Sequence, residues 1–254
     1  MWGLWVSEIE RIWRRKRMIA FGGVYLLLLL SNMWMLKLSG WGQYRFGGRV
    51  EMHELSAPWF MMEGISLLLV MAILPILFVE HLGGEIHSGA YRMYMLRSFS
   101  RFRLWLAKLL ALIATIGVFM GTTCLIAFAC GRLFFPHSDT VLIYGAEVPI
   151  ASTAAALYTV KVYLLLALVC VLKLALSSMV CLFVPRPLMA YIVIFVGSIA
   201  ALYLNKELVL LFDPFQRILT ALSPEGWPKF WIYAIGFTAV FAAASFWRWE
   251  RRAV

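Results

Sequence analysis

The side chains that could hold a metal ion are concentrated in residues 80–87. Glu80, His81, Glu85 and His87 lie there, and the spacing of His81 and Glu85 puts both on one face of a helix. The zinc-protease order H-E-x-x-H is absent, and two histidines are a poor ligand set for zinc. Polar side chains also gather where a membrane helix meets water. We therefore interpret these four residues as a helix end and expect no metal site and no catalytic residues.

Lys173 lies in the middle of a long apolar run. It is twelve residues after Lys161 and thirteen before Arg186, so on a helix it lies about 20 Å from the turn at that arginine. A lysine near the bilayer centre costs at least about 2.5 kcal/mol unless it snorkels, pairs or faces water. Two interpretations stay open. Lys173 lines a water-filled translocation path together with Glu63, or it snorkels or hydrogen-bonds a neighbouring helix.

The sequence contains no recognisable energy source for transport. A phosphate-binding P-loop needs Gly-Lys followed by Ser or Thr, and none of the seven lysines is followed by either residue. Coupling to protons or sodium usually leaves carboxylates at mid-membrane depth. Glu63 and Glu80 instead lie towards the two ends of their apolar run. We therefore expect a passive pathway that needs an external motor.

The composition describes a membrane protein. Of the 254 residues, 63% are hydrophobic and 14% are charged, and the mean hydropathy is +0.85. A soluble domain is about half apolar and about a quarter charged. These values exclude a soluble globular enzyme and predict one membrane-embedded domain over residues 1–254.

Six stretches reach the roughly 20 apolar residues that a spanning helix requires. They are Met18–Leu38, Trp59–Val79, Leu104–Cys130, Ser152–Val184, Leu188–Leu204 and Phe230–Trp247. With both termini on one side, that side holds fourteen basic residues and the other side holds seven. The positive-inside rule then predicts a multi-pass protein of the cell membrane with both termini cytoplasmic. The net charge of +10 is thereby explained by orientation towards the lipid bilayer, and no nucleic-acid partner is expected.

Three segments between or beside the spans have patterns of their own. Residues 1–17 carry apolar and aromatic residues at helical spacing, which favours an amphipathic helix on the membrane surface over an unstructured cationic flank. Residues 80–103 form the longest loop on the side of the termini. Residues 205–229 contain two short apolar pieces broken at Asp213-Pro214, which predict half-helices that re-enter the outer leaflet.

Together these features resemble the membrane (permease) subunit of an ABC-2 type transporter. Members of that family are similar in having six spans, an N-terminal elbow helix and an outer re-entrant segment between spans five and six. Their most recognisable sequence follows span two; here Ala90 stands in place of its Thr and Ser98 in place of its Pro. The step Leu222-Ser223-Pro224 before span six also looks like the family. The loop motif appears here as Glu85, Gly89-Ala90, Leu96, Ser98-Phe99-Ser100-Arg101 and Lys108.

The resemblance implies an all-α integral membrane fold with a cytoplasmic coupling helix in residues 80–103. That helix would dock on a separate ABC ATPase subunit, which binds ATP and Mg²⁺, so this chain would hold no cofactor. Aromatic and apolar residues at four-residue spacing would offer one face to a groove. The alternative is a cationic loop that holds the span ends at the headgroups. The candidate coupling residues are Glu85, Gly89, Tyr91, Arg92, Met95, Leu96, Phe99 and Arg101.

The resemblance also implies an assembly of two permease and two ATPase copies, with the path at the permease interface. Apolar, aromatic spans and short outer loops favour amphipathic or hydrophobic substrates. Among relatives of this size, export of antimicrobial or toxin-like peptides, or self-protection against them, is a frequent role. The alternatives are an ATP-independent channel or secondary carrier, or a permease of this type for lipids, drugs or glycan precursors.

Overall fold

The computed structural model describes residues 2–43, 49–87, 101–146, 148–184, 186–204, 206–224 and 226–251. Within these ranges the chain is almost entirely helical, and six helices are long and apolar enough to cross a membrane. The predicted all-α membrane class with six spans is confirmed. The helices, here called spans one to six, are Lys16–Ser39, Ala57–Gly84, Phe102–Phe134, Ser152–Phe183, Pro187–Leu204 and Lys229–Arg251.

Nine α-helices and two short hairpins make up the regular structure of the described residues. The α-helices are α1 Trp2–Trp13, α2 Lys16–Ser39, α3 Ala57–Leu68, α4 Leu74–His87, α5 Arg101–Phe134, α6 Ser152–Phe183, α7 Pro187–Leu204, α8 Pro214–Leu222 and α9 Lys229–Arg251. A π-helical turn, Leu69–Ile73, joins α3 to α4 within span two, and a 3₁₀ helix, Lys206–Leu211, precedes α8. The antiparallel strand pairs are β1 Trp41–Gln43 with β2 Arg49–Glu51, and β3 Thr140–Val141 with β4 Ile150–Ala151.

Spans two and four form the centre of the bundle. In each, 67% of the most apolar window is buried inside the protein, against 17% for spans one and six. Span four contacts spans two, three, five and six. The outward faces of the peripheral spans are apolar; Leu27, Leu30 and Val196 are examples of large exposed side chains. Such faces suit contact with lipid tails, which are as apolar as leucine.

Both ends of the described chain lie against the start of span three. Helix α1 packs on α5, and Ile12 of α1 is buried. From the other end of the chain, the Phe246 ring contacts Phe102, and Ser245 Oγ accepts a hydrogen bond of 3.1 Å from Trp105 Nε1. We call this the terminal end of the bundle, and the opposite end, where the two hairpins lie, the hairpin end.

Candidate functional site

Two residues of the predicted polar stretch at the end of span two, Glu80 and His81, form bonds to neighbouring helices at the terminal end of the bundle. Glu80 Oε1 forms an ion pair of 2.7 Å with Arg17 Nη1. His81 is buried, and its carbonyl oxygen accepts a hydrogen bond of 3.4 Å from Lys108 Nζ. The structure therefore places charged side chains where spans one, two and three leave the apolar zone. Among the described residues, no three His, Cys, Asp or Glu side chains are grouped so that they could hold a metal ion.

Lys173 is fully buried within the bundle. Its Nζ donates hydrogen bonds to Ser198 Oγ on span five and, at 3.0 Å, to the carbonyl oxygen of Leu211 on the 3₁₀ helix. The thioether sulfur of Met71 in span two lies 4.0 Å away. The lysine on span four is thus held by three other elements, as the hydrogen-bonded interpretation requires. Its proposed role in a translocation path stays a prediction.

A π-helical turn in span two forms one side of this cluster. The turn covers Leu69–Ile73, and the hydroxyl of Tyr191 on span five lies 3.5 Å from the carbonyl oxygen of Met71 within it. Single π turns inside α-helices are rare and frequently occur at functional sites. We call the group the Lys173 cluster; its members are Met71, Lys173, Tyr191, Ser198 and Leu211.

The Lys173 cluster holds a cation without a counter-charge. Among the described residues, no carboxylate forms an ion pair with Lys173; its partners are a hydroxyl, a carbonyl and a thioether. Neutral dipoles compensate a buried charge less well than an opposite charge does, and charge-assisted hydrogen bonds are about twice as strong as neutral ones. Because Lys173 has no exposed surface, this charge lies inside the bundle and not on the wall of a cavity.

A cavity of about 550 Å³ lies between span five and α8. One wall carries polar side chains that recur three and four residues apart, so they share a helical face. These are Asp213, Gln216, Arg217 and Thr220. The facing wall is apolar and consists of Leu202, Val209 and Phe212. A cavity with one polar and one apolar wall matches an amphipathic molecule.

The Lys173 cluster and Glu63 lie beside this cavity. Ser198 precedes the lining residue Leu202 by one helical turn, and Leu211 precedes the lining residue Phe212 directly. On the other side, Gln216 Nε2 donates a hydrogen bond of 3.0 Å to Glu63 Oε1. The two residues predicted for a translocation path therefore both flank one cavity, although neither is among the residues that line it.

Several parts of this site were not predicted from the sequence. Ser198 and Tyr191 stand in an apolar span, where a polar side chain indicates a buried hydrogen-bond partner. The π turn at Leu69–Ile73 has no sequence signature, and the cavity depends on how α8 packs.

The predicted coupling residues lie almost entirely outside the described part of the chain. Glu85 belongs to the last turn of α4 and Arg101 begins α5, but only their backbone is described. The remaining candidates lie outside the described residues; they are Gly89, Tyr91, Arg92, Met95, Leu96 and Phe99.

Comparison with known proteins adds no relative to this picture. No protein-family model matches the chain, and no curated protein matches it.

Proposed function

We propose that this chain is the permease subunit of an ATP-driven exporter of the ABC-2 type. Its substrates are amphipathic or hydrophobic molecules, such as antimicrobial or toxin-like peptides, which it moves out of the cell. The observation that carries the proposal is the broken helical segment between spans five and six. The 3₁₀ helix Lys206–Leu211 and α8 pack on spans two, four and five beside an amphipathic cavity.

The finer architectural features of the proposal are supported by local structure. Residues Trp2–Trp13 form an amphipathic helix that packs on span three, which suits an elbow helix at the membrane surface. The 3₁₀ helix and α8 are both too short to cross a bilayer, which needs about 20 residues. They suit a segment that enters the outer leaflet and returns.

In the proposed assembly two copies of this chain join two ATPase subunits, which bind ATP and Mg²⁺. The terminal end of the bundle faces the cytoplasm, because basic residues concentrate there. The segment Glu85–Arg101 transmits the movement of the ATPase to spans two and three, since it connects them directly.

The cavity receives the substrate in this proposal, and the Lys173 cluster lies beside it. The polar wall contacts the hydrophilic side of an amphipathic molecule, and the apolar wall contacts its hydrophobic side. Lys173 holds the 3₁₀ helix through the carbonyl oxygen of Leu211. Movement of that helix would change the width of the cavity, since Val209 of the helix lines it.

Purification with a partner tests the proposal. The chain is tagged at its C-terminus, isolated from its native membranes, and assayed for a co-purifying subunit with a P-loop and for ATP hydrolysis. Proteoliposomes of the complex are then tested for uptake of a fluorescent amphipathic peptide. We expect uptake that requires ATP hydrolysis. Uptake driven by an ion gradient alone would identify a secondary carrier, and passive flux would identify a channel; either result would refute the proposal.

A matched pair of threonine variants tests the cavity. Thr220 lines it, whereas Thr122 is exposed on span three; both hydroxyls bond to the carbonyl oxygen four residues earlier in their own helix. We expect Thr220→Val to change the substrate KM and Thr122→Val to leave it unchanged. Equal effects of the two variants would place the substrate elsewhere.

Sidedness is tested separately. Reporters fused to the two termini should both read cytoplasmic. A terminus that reads external would contradict the proposed orientation.

A further inference from the structure

A groove of about 440 Å³ runs between α1 and span three near the terminal end. On span three it is lined by Ala107 and Ala114, which are two helical turns apart on one face, and by the apolar side chains between them. On α1 the wall consists of two tryptophan rings whose centroids are 4.9 Å apart. The lining is wholly apolar apart from the indole N–H groups; the residues are Trp2, Trp5, Ala107, Leu110, Ile113 and Ala114.

The indole of Trp5 indicates that this groove holds a ligand. Its Nε1 is buried and has no hydrogen-bond partner among the described residues. A buried indole N–H normally has an acceptor, because a buried donor without a hydrogen bond costs about 1–3 kcal/mol. The other groove side chains carry no acceptor. An occupant with an apolar body and an oxygen acceptor near one end would fill the apolar groove and accept a hydrogen bond from Trp5 Nε1.

Positive charge stands at the terminal end of the groove. Lys108 follows Ala107 but is buried and donates a hydrogen bond to the carbonyl oxygen of His81, so its charge faces the bundle interior. Together with the Arg17–Glu80 pair it marks the level at which the apolar zone ends. Arg103 is exposed and lies one turn before Ala107, about 6 Å further towards the terminal end. The side chain of Arg14, just after α1, is 79% exposed but forms an ion pair of 2.5 Å with Glu10, so the charge at this end of the groove depends on Arg103.

The dimensions of this arrangement match one leaflet. From Arg103 to Ala114 a helix rises about 16 Å. That is roughly half of the ~30 Å hydrocarbon core of a bilayer, and therefore the length available to one acyl chain. Basic residues at this depth attract anionic headgroups, at about 1 kcal/mol per Lys or Arg.

We propose that this groove is a binding site for one anionic glycerophospholipid of the leaflet at the terminal end. One acyl chain lies along Ala107–Ala114, an ester oxygen accepts a hydrogen bond from Trp5 Nε1, and the phosphate lies beside Arg103. The bound lipid connects α1 to span three. The proposal does not depend on the exporter function, since it holds equally for a channel or a carrier.

Native mass spectrometry of the purified full-length chain tests the site. The chain is equilibrated with palmitoyl-oleoyl phosphatidylglycerol or with the phosphatidylcholine of the same chains, and retained lipid is counted per chain. We expect one retained phosphatidylglycerol, with a preference over phosphatidylcholine of about fivefold per cationic contact. Equal retention of the two lipids would show bulk lipid only and overturn the proposal.

Two pairs of variants localise the effect. Ala114→Phe fills the groove and should abolish retention, whereas Ala200→Phe, at an exposed site on span five, should leave it unchanged. Arg103→Gln should lower the phosphatidylglycerol preference by about fivefold, whereas Arg132→Gln, exposed near the other end of the same helix, should leave it unchanged. Retention that survives Ala114→Phe, or that falls equally in both members of a pair, would overturn the proposal.

Photo-crosslinking keeps the test independent of the variants. Phosphatidylglycerol with a diazirine in one acyl chain is added to the unaltered protein, and the labelled peptides are mapped. We expect labels in residues 2–5 and 107–114. Labels spread evenly over the exposed faces of spans one and five, or a second protein chain crosslinked at the groove, would contradict the proposal.

Discussion

Removal of the Ser198 hydroxyl is expected to destabilise the protein more than removal of the charge on Lys173. In Ser198→Ala the ammonium ion stays buried and loses one acceptor. Hydrogen bonds to charged groups contribute about 1.5–3 kcal/mol, so we expect a loss of about 2 kcal/mol in the free energy of unfolding. This loss arises because the remaining partners of Lys173, the Leu211 carbonyl and the Met71 thioether, carry no charge.

In Lys173→Met two effects oppose one another. The buried ammonium ion disappears, which removes a cost of at least about 2.5 kcal/mol. The carbonyl oxygen of Leu211 loses this donor, which costs about 1–3 kcal/mol. Methionine is close to lysine in length, so the space stays filled. We expect a net change within about 1 kcal/mol. In the double variant, Ser198→Ala should then add little, because no ammonium ion remains to lose an acceptor.

Thermal unfolding in lipid nanodiscs, followed by tryptophan fluorescence, measures these differences. For a chain of this size 1 kcal/mol corresponds to about 2–4 °C, so Ser198→Ala should lower Tm by about 4–8 °C. Lys161→Met is the matched control, since that lysine lies on the same helix and is exposed; it should change stability by less than about 0.5 kcal/mol. The reasoning is refuted if Lys173→Met lowers Tm more than Ser198→Ala, or if the two losses add in the double variant.

Three further outcomes are expected. Lys173→Met should lower peptide transport in proteoliposomes while expression and assembly stay normal; unchanged transport would limit Lys173 to a structural role. Gly131→Ala should cost about 1–3 kcal/mol in unfolding free energy, because its Cβ would lie 2.8 Å from the carbonyl oxygen of Glu54. Gly121→Ala, with open space at the same helix, should be neutral or stabilising by up to about 1 kcal/mol, and a loss there would contradict the argument. Gly89→Leu should leave the permease in the membrane but release or uncouple the ATPase, measured by pull-down and ATP turnover; normal turnover would place the coupling helix elsewhere.

Local features of the sequence were sufficient to predict the spans and the short helices between or beside them. Apolar length alone located all six spans, because a bilayer demands about 20 apolar residues wherever the chain crosses it. The spacing of tryptophans predicted a helix near the N-terminus, and the structure has Trp2–Trp13. The break at Asp213-Pro214 separates the 3₁₀ helix from α8 as expected, because proline is favoured at a helix start. Their placement relative to a membrane stays a prediction.

Only the tertiary structure decided which faces of the spans meet. The spans are apolar all round, so their periodicity does not distinguish a buried face from a lipid-facing one. Lys173 illustrates the limit: its energetic cost was evident from the sequence, but its partners lie 25, 38 and 102 residues away along the chain. The hydrogen bonds that hold a buried cation depend on side chains brought together by packing, and no local pattern encodes that packing. The sequence by itself therefore located six helices long and apolar enough to cross a membrane, whereas the packing of spans two, four and five determined what surrounds Lys173.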